Sequence, residues 1–473
     1  MPKKYWPRGL MELMQQLNAA FLQTGEAICD LLEERIGVRE FEERLWNIVM
    51  QLGRDVEKIV FEEQDRYLLE HPEKRQGWSV QRGPEEKTII GLFGPVTYRR
   101  RYYYNKETKE HLHLVDALIG IGPHQLQTPA VQARHIEYAS QVSYARAARA
   151  CGNLVTRQTV GNTLKKLPVE DGLVVKEKAA KRRVETLYIE ADEDHVALQR
   201  QENGKKSLQV PLIYVYEGRR GKRGELINRF YLTGLEEADE LWLKVLDYID
   251  EHYDLKAIKE IFISGDGAGW IRTGLSVIPN SIFVLDRFHL KKYVTAAVNK
   301  KTHPELFSEL WQAIEDCDQE RVKKALRKAE SVAETENRRQ AVQKCRAYIR
   351  HNWDGILSYK THKKKVFGCS AEPHVSHVLS ARMSSRPMAW STGGAGHMAQ
   401  LRVMDANGFS VREYYAKLLS SKERGKLFCT PKTLRVQRSL AAKYFDRFQA
   451  HLPALDGSRT ALSMFLRSLA FPA

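Results

Sequence analysis

Two short apolar runs that each close on an acid constrain this chain more than any other feature. The first, residues 184–189, runs into Glu190-Ala191-Asp192-Glu193-Asp194-His195, and the second, Ile261-Phe262-Ile263-Ser264, leads to Gly265-Asp266-Gly267. An apolar strand ending on an acid is where an α/β sheet presents ligands, at the carboxyl edge of its strands. Two such acids, far apart in sequence, suggest a site for a hard divalent metal if the fold brings them together. Each taken singly is weak, because most aspartates at strand ends serve turns or caps.

The surrounding pattern supplies a sheet for them. Further strands are expected at residues 208–215, 229–232 and 281–285, with a hairpin-like turn at 217–221. A helix is expected at 237–253, with Leu241, Val245, Leu246 and Ile249 on one face. Three strands, a helix, a strand, a connector and another strand outline an α/β, RNase H-like mixed sheet. After Asp286-Arg287-Phe288-His289 the chain turns helical and highly charged to about residue 358. A sparse apolar stripe there, Phe307, Leu310, Ile314 and Leu326, reads as an all-helical insertion.

The N-terminal part reads differently. Residues 8–70 carry apolar residues at helical spacing, interrupted at Gly37 and closed by His71-Pro72. Residues 88–98 read as two strands turning at Gly94-Pro95. The second strand continues as Arg99-Arg100-Arg101 followed by three tyrosines, offering charge for phosphates and rings for stacking. Residues 143–150 and 156–167 are two helix candidates joined by a glycine-containing turn, the outline of a helix-turn-helix. In that motif Thr156, Arg157, Gln158 and Thr159 would face base edges. The 75 Lys and Arg against 59 Asp and Glu, a net charge of +16, favour a polyanionic partner, nucleic acid first.

Several classes are disfavoured. The six cysteines form no C-x-x-C pair, so neither a zinc ribbon nor a redox motif is indicated. No run approaches the ~20 apolar residues of a membrane span, and no signal peptide is apparent, so a soluble cytoplasmic protein is expected. His195, His289, His374 and His377 are available for zinc, yet no H-E-x-x-H occurs and His374 and His377 are three apart, so Mg²⁺ is the preferred metal. His289 suits a hydrogen bond at a helix start, and His195 is expected to pack. Pro373 suits the first position of a helix, which places Glu372 at its cap. The small, hydroxylated and basic residues of 379–396 suit a surface near a phosphate backbone, with Arg382 and Arg386 as phosphate contacts.

Asp192 in IEADEDHV, Asp266 in FISGDGAGWI, the D-x-x-H of VLDRFHLKKY and the stretch AEPHVSHVLSARMSSRPMAWS together resemble the ISLre2-type (UPF0236) insertion-sequence transposases. These belong to the DDE class, and the likeness covers about residues 85–410. It implies an RNase H-like catalytic domain whose helical insertion precedes the third acid. Carried over by position, the catalytic and metal-binding acids are Asp192, Asp266 and Glu372, holding Mg²⁺ or Mn²⁺, with Asp286 and His289 as an accessory pair. Asp194 and Glu190 stand as alternatives to Asp192, and Glu413 to Glu372.

The expected organisation is a helical region at 1–75, a β-ribbon and helix-turn-helix region at 76–168, a core at 184–290 and 367–410 split by a helical insertion at 291–366, and a helical tail at 411–473. The expected function is transposition in a bacterial cell, near the nucleoid: metal-dependent cleavage of double-stranded DNA at element ends and joining to target DNA, by a homo-oligomer in the synaptic complex. A non-catalytic DNA-binding regulator derived from a transposase and an RNase H-like repair nuclease are the alternatives.

Overall fold

The computed structural model describes residues 9–416, apart from 123, 153, 167–179, 203 and 222–223. These residues fall into two units divided between Val131 and Gln132. The expected tail at 411–473 therefore lies almost wholly outside the described residues.

In the first unit, α1 (Gly9–Leu32) and α2 (Val38–Glu70) form an antiparallel hairpin broken at Gly37, where helical spacing predicts the break. Arg44 bonds Asp30 at one end, and the Gly9 N–H donates to Glu63 at the other. Only part of the apolar stripe is covered, since Met11, Met14 and Phe21 remain exposed. Strands β1 (Trp78–Gly91), β2 (Gly94–Asn105) and β3 (His111–Leu112) make a small antiparallel sheet. The turn between β1 and β2 is Leu92-Phe93, with Gly91 opposite Gly94, so it falls two residues before the position expected. A short helix, α3 (Leu114–Leu118), follows, and the division between units lies within α4 (Pro129–Gln141).

The second unit continues with α5 (Tyr144–Ala150) and α6 (Arg157–Lys166), a pair of short helices as the pattern predicts. Ser143 caps α5 and Thr156 accepts from the Thr159 N–H at the start of α6. The central sheet has five strands: β4 (Thr186–Glu202), β5 (Lys205–Tyr216), β8 (Phe230–Leu232), β9 (Glu260–Gly265) and β10 (Ser281–Leu285). Between β5 and β8 lies a separate small hairpin, β6 (Gly218–Arg220) with β7 (Glu225–Ile227). The order across the sheet is β10-β9-β4-β5-β8. Strands β4, β9 and β10 are parallel, whereas β5 is antiparallel to β4 and to β8.

One strand departs from expectation. β4 does not stop at the acidic residues but carries them inside the sheet, pairing Asp192 with Leu212 and Asp194 with Val210. The parallel pairing with β9 ends at Glu190 opposite Ser264, so Asp192 sits just beyond it. The cause lies in the partner: Val210 and Leu212 to Tyr216 of β5 are buried and mostly apolar, and its ladder draws the acidic half of β4 into register.

Helices α7 (Ala238–His252) and α8 (Gly269–Val277) join the sheet core through Leu241, Trp242, Val245 and Ile271. The charged block consists of α9 (Arg287–Ala297), α10 (Pro304–Glu315), α11 (Gln319–Ser331), α12 (Glu336–His351) and α13 (Trp353–Thr361). Its stripe residues Phe307, Leu310, Ile314 and Leu326 share one buried cluster with Ile189, Ile263 and Leu285 of the sheet. The chain then returns through α14 (Ala371–Val375), a π-helical turn over Ser376–Ser380, α15 (Ala381–Met383) and α16 (Thr392–Ala406). No described helix is long and apolar enough to cross a membrane.

Candidate functional site

Three of the acids singled out in the sequence meet at one edge of the sheet. Asp192 lies on β4, Asp266 follows the last residue of β9, and Asp286 follows the last residue of β10. Parallel strands deliver their carboxyl ends to the same side, which explains the convergence of residues so distant in sequence. Asp266 Oδ1 accepts the Ala268 N–H at 2.8 Å, and the Tyr348 hydroxyl of α12 donates to the Asp266 carbonyl at 2.6 Å. Gly267 follows at φ +88°, where a side chain would also collide with Asn352, so glycine is required there.

Asp286 is buried and divides its carboxylate. Oδ1 accepts the Phe288 N–H at 2.9 Å and caps α9, while Oδ2 lies 2.8 Å from Nδ1 of His289. His289 is therefore hydrogen-bonded at the helix start, as expected. Its pKa is raised chiefly by the hydrogen bond to Asp286, against burial, with Asp192 and Asp266 adding to the rise.

Asp192 is half-buried, and the only hydrogen bond to its carboxylate among the described residues is from the Glu193 N–H at 2.9 Å. Burial pushes its carboxyl up to about 6, with Glu193 and Asp266 adding to the rise and His289 opposing it. Its neighbours differ sharply. Glu190 is fully buried and accepts from Tyr214, Tyr216, Arg219 and Ser370, and buried Asp194 accepts from Ser384. Both alternatives to Asp192 are thus engaged by donors, and Asp192 is the one left open. His195, expected to pack, is instead exposed, 3.8 Å from Glu193 on the same face of β4.

Among the described residues no group of three or more His, Cys, Asp or Glu side chains is close enough to enclose a metal ion. Mg²⁺ takes only one or two carboxylates and keeps several waters, so Asp192 with Asp266 is a sufficient all-oxygen donor set. A carboxyl lifted by burial, with other acids around it, is also one that a cation would return to its charged form. The residues present fit such an ion.

Glu372 is not drawn into this cluster. It is exposed at the second residue of α14, and the helix cap position belongs to Ser370, whose N–H is held by Glu190. The expected capping role of Glu372 is thereby corrected. Glu413 is exposed as well, its N–H bonded to Ser410. His374 lies against Tyr214 and Tyr231, 2.5 Å from the Tyr231 hydroxyl, and burial lowers its pKa to about 4. His377 is exposed and offers its carbonyl to Arg402.

The residues expected to meet DNA divide into two groups. Thr156, Arg157, Gln158, Arg99 and Arg386 are exposed, and Thr159 is half-exposed. Arg100 is instead paired with buried Asp116, and Arg101 with buried Asp65. Arg382, expected on the surface, is buried. It donates to the Ala139 carbonyl at 2.9 Å and lies over the rings of Tyr144 and Trp390. The aromatic and small residues around it form a core into which its guanidinium is drawn, with a backbone acceptor to satisfy it.

Sequence reasoning missed Glu193, Trp270 and Tyr348 as neighbours of the acids. Trp270 donates its indole N–H to Glu193 at 2.8 Å, and burial raises the pKa of that carboxyl. The Trp in GDGAGW was the one available signal. Tyr348, in the middle of a charged helix and stacked on Tyr293, gave none.

The sequence matches the uncharacterised protein family UPF0236 over residues 31–417. A UPF0236 protein of Caldanaerobacter subterraneus subsp. tengcongensis, whose name joins eleven locus designations, is 38% identical over 390 residues, covering 81% of each chain. A second from that organism, named for four loci, is 38% identical over 394 residues, covering 82% of each. A UPF0236 protein from the vanSb 3′ region of Streptococcus gallolyticus is 24% identical over 381 residues, 78% of this chain and 83% of the relative. With four-fifths of its length matched at this level, the chain belongs to the UPF0236 family.

Proposed function

We propose that this protein is a DNA transposase of the DDE class, of the ISLre2 type, acting on double-stranded DNA with Mg²⁺ or Mn²⁺ as a homo-oligomer. The observation that carries the reading is the meeting of Asp192, Asp266 and the Asp286–His289 pair at one sheet edge, where the carboxylates of Asp192 and Asp266 each accept only a backbone N–H among the described residues. The strand order β8-β5-β4-β9-β10, antiparallel for its first three members and parallel thereafter, is the order an RNase H-like core requires and supports that assignment. Relatives whose single names join eleven and four loci of one organism support an element that multiplies in a genome. A net charge of +16 supports a polyanionic partner.

In this reading Asp192 and Asp266 hold the ion, and α14 offers Glu372 from the neighbouring segment. A bound divalent ion supplies Lewis-acid polarisation of the scissile phosphate and a water or 3′ hydroxyl of lowered pKa. His289, kept in place by Asp286 and with its pKa raised chiefly by that hydrogen bond, would temper the mutual repulsion of the acids when protonated. Thr156, Arg157 and Gln158 at the exposed start of α6 read the element end as the second helix of a helix-turn-helix, and Arg99 and Arg386 contact phosphates.

The test is incubation of the full chain with labelled DNA flanking its own gene, in Mg²⁺ and in Mn²⁺, followed by analysis of nicks and joined products. Cleavage at the element ends with joining, lost in Asp192→Asn and Asp266→Asn, is expected. Binding without any cut would point to a regulator, and cutting without joining to a repair nuclease.

A further inference from the structure

Residues 190, 192 and 194 alternate with 189, 191 and 193 along β4, so Glu190, Asp192 and Asp194 project from one face of the strand. The outer two are tied to the two ends of a single segment. Glu190 Oε2 accepts the Ser370 N–H at 2.5 Å and its Oγ–H at 3.1 Å, just before α14. Asp194 accepts from Ser384 Oγ, which lies 2.8 and 2.9 Å from its two oxygens, just after α15. The helical run between these ties carries Glu372 and buries Ala371, Val375, Val378, Leu379 and Met383. The chain arriving from α13 is anchored too, since Tyr188 donates to the Lys365 carbonyl at 3.0 Å and Arg219 to that of Gly368.

Glu190 is more than one end of a tie. Its carboxylate also receives the hydroxyls of Tyr214 at 2.5 Å and Tyr216 at 2.6 Å, and the Arg219 guanidinium at 3.0 Å. So many donors on a fully buried group require both of its oxygens. An amide in its place would turn its NH₂ either toward the Arg219 guanidinium or toward the Ser370 N–H, each of which can only donate, and would leave that buried donor unsatisfied. We propose that Glu190 and Asp194 are positioning residues, which clamp the helical segment bearing Glu372 at both ends along the face of β4 from which Asp192 projects. The catalytic consequence rests on the transposase reading; the clamp itself does not.

Hydrogen–deuterium exchange on the full chain tests the clamp without any DNA chemistry. Glu190→Gln should speed exchange of the amides of residues 371–380 by about tenfold, the scale of one lost charge-assisted bond, and leave those of β5 and β9 unchanged. Ser384→Ala should speed exchange of residues 379–384 by about threefold. Ser370→Thr keeps both donors and should exchange as the wild type does. In the DNA assay Glu190→Gln should cut at least about tenfold more slowly with DNA affinity within about twofold, whereas Ser370→Thr should cut at the normal rate.

Unchanged exchange in both Glu190→Gln and Ser384→Ala overturns the clamp. Faster exchange with unchanged cutting overturns the positioning role. If Glu190→Gln does not fold, Ser384→Ala and Ser370→Ala, which each delete one hydroxyl, decide by the same criteria. A wild-type protein that never cuts DNA counts against the transposase reading, and the exchange result still judges the clamp.

Discussion

Asp116 in the first unit and Asp192 in the second are acids withdrawn from water, and their surroundings are opposite. Asp116 accepts from the Lys87 ammonium at 2.9 Å, from the Tyr98 hydroxyl at 2.5 Å and from Arg100. Asp192 has Glu193 and Asp266 as neighbours and, among the described residues, His289 as the one positive group acting on it. Withdrawing a carboxylate from water costs several kcal/mol unless opposite charge and donors compensate. Asp116 is compensated within the fold and reads as architecture. Asp192 is less compensated among the described residues, which suits the metal ion proposed for this sheet edge. The same contrast recurs over four residues of β4, where Glu190 and Asp194 are satisfied and Asp192 between them is not.

The largest effect is expected at Asp192. Replacing it with Asn should reduce DNA cleavage by at least about 10³-fold, while the melting temperature of the metal-free protein holds or rises, because the amide removes an uncompensated charge. A clear loss of stability would erase the contrast with Asp116. There, Asp116→Ala should destabilise by about 3–5 kcal/mol in denaturant titration, since it strands two buried cations and a phenol.

A third withdrawn group sharpens the comparison because no hydrogen bond among the described residues compensates it. His135 on α4 is fully buried, and neither of its ring nitrogens has a hydrogen-bond partner among the described residues. Burial lowers its pKa to about 4, with Arg134 adding to the fall. A histidine whose folded pKa lies below its unfolded value of 6.5 contributes stability above pH 6.5, and that contribution is lost as pH falls toward 4. The loss should amount to about 3 kcal/mol, and His135→Leu should remove it from a series of unfolding curves over that range.

Smaller effects separate two arginines only four positions apart. Buried Arg382→Ala should cost about 2–3 kcal/mol through the lost contacts with Tyr144, Trp390 and the Ala139 carbonyl. Exposed Arg386→Ala should change stability by less than about 0.5 kcal/mol and weaken DNA binding only a few-fold, the weakening diminishing as salt is raised.

Much of the fold was legible beforehand because it rests on local pattern. The run 281–285 is β10, α7 lies within one residue of its expected ends, and α5 and α6 follow the two helix candidates. Asp266 and the Asp286–His289 pair were readable because short apolar strands end where polar residues begin. Where β4 ends was not readable, because its acidic half is held by the backbone ladder of β5 and not by its own composition. That the sparse stripe of the helical block joins the sheet core was unreadable for a similar reason, because that packing has no trace in the charges around it.

Sequence by itself determined which residues could form strands and helices, where acids follow strands, and that the chain carries excess positive charge. These follow from side-chain periodicity and composition, which act at short range. Only the tertiary structure decided which charges are free. Arg100, Arg101 and Arg382 looked like phosphate contacts until Asp116, Asp65 and the Ala139 carbonyl claimed them. Glu190 and Asp194 stood as alternatives to Asp192 until Tyr214, Tyr216, Arg219, Ser370 and Ser384 arrived beside two of the three. Whether a charge is compensated depends on partners within a few ångströms in space, and those partners come from any distance along the chain.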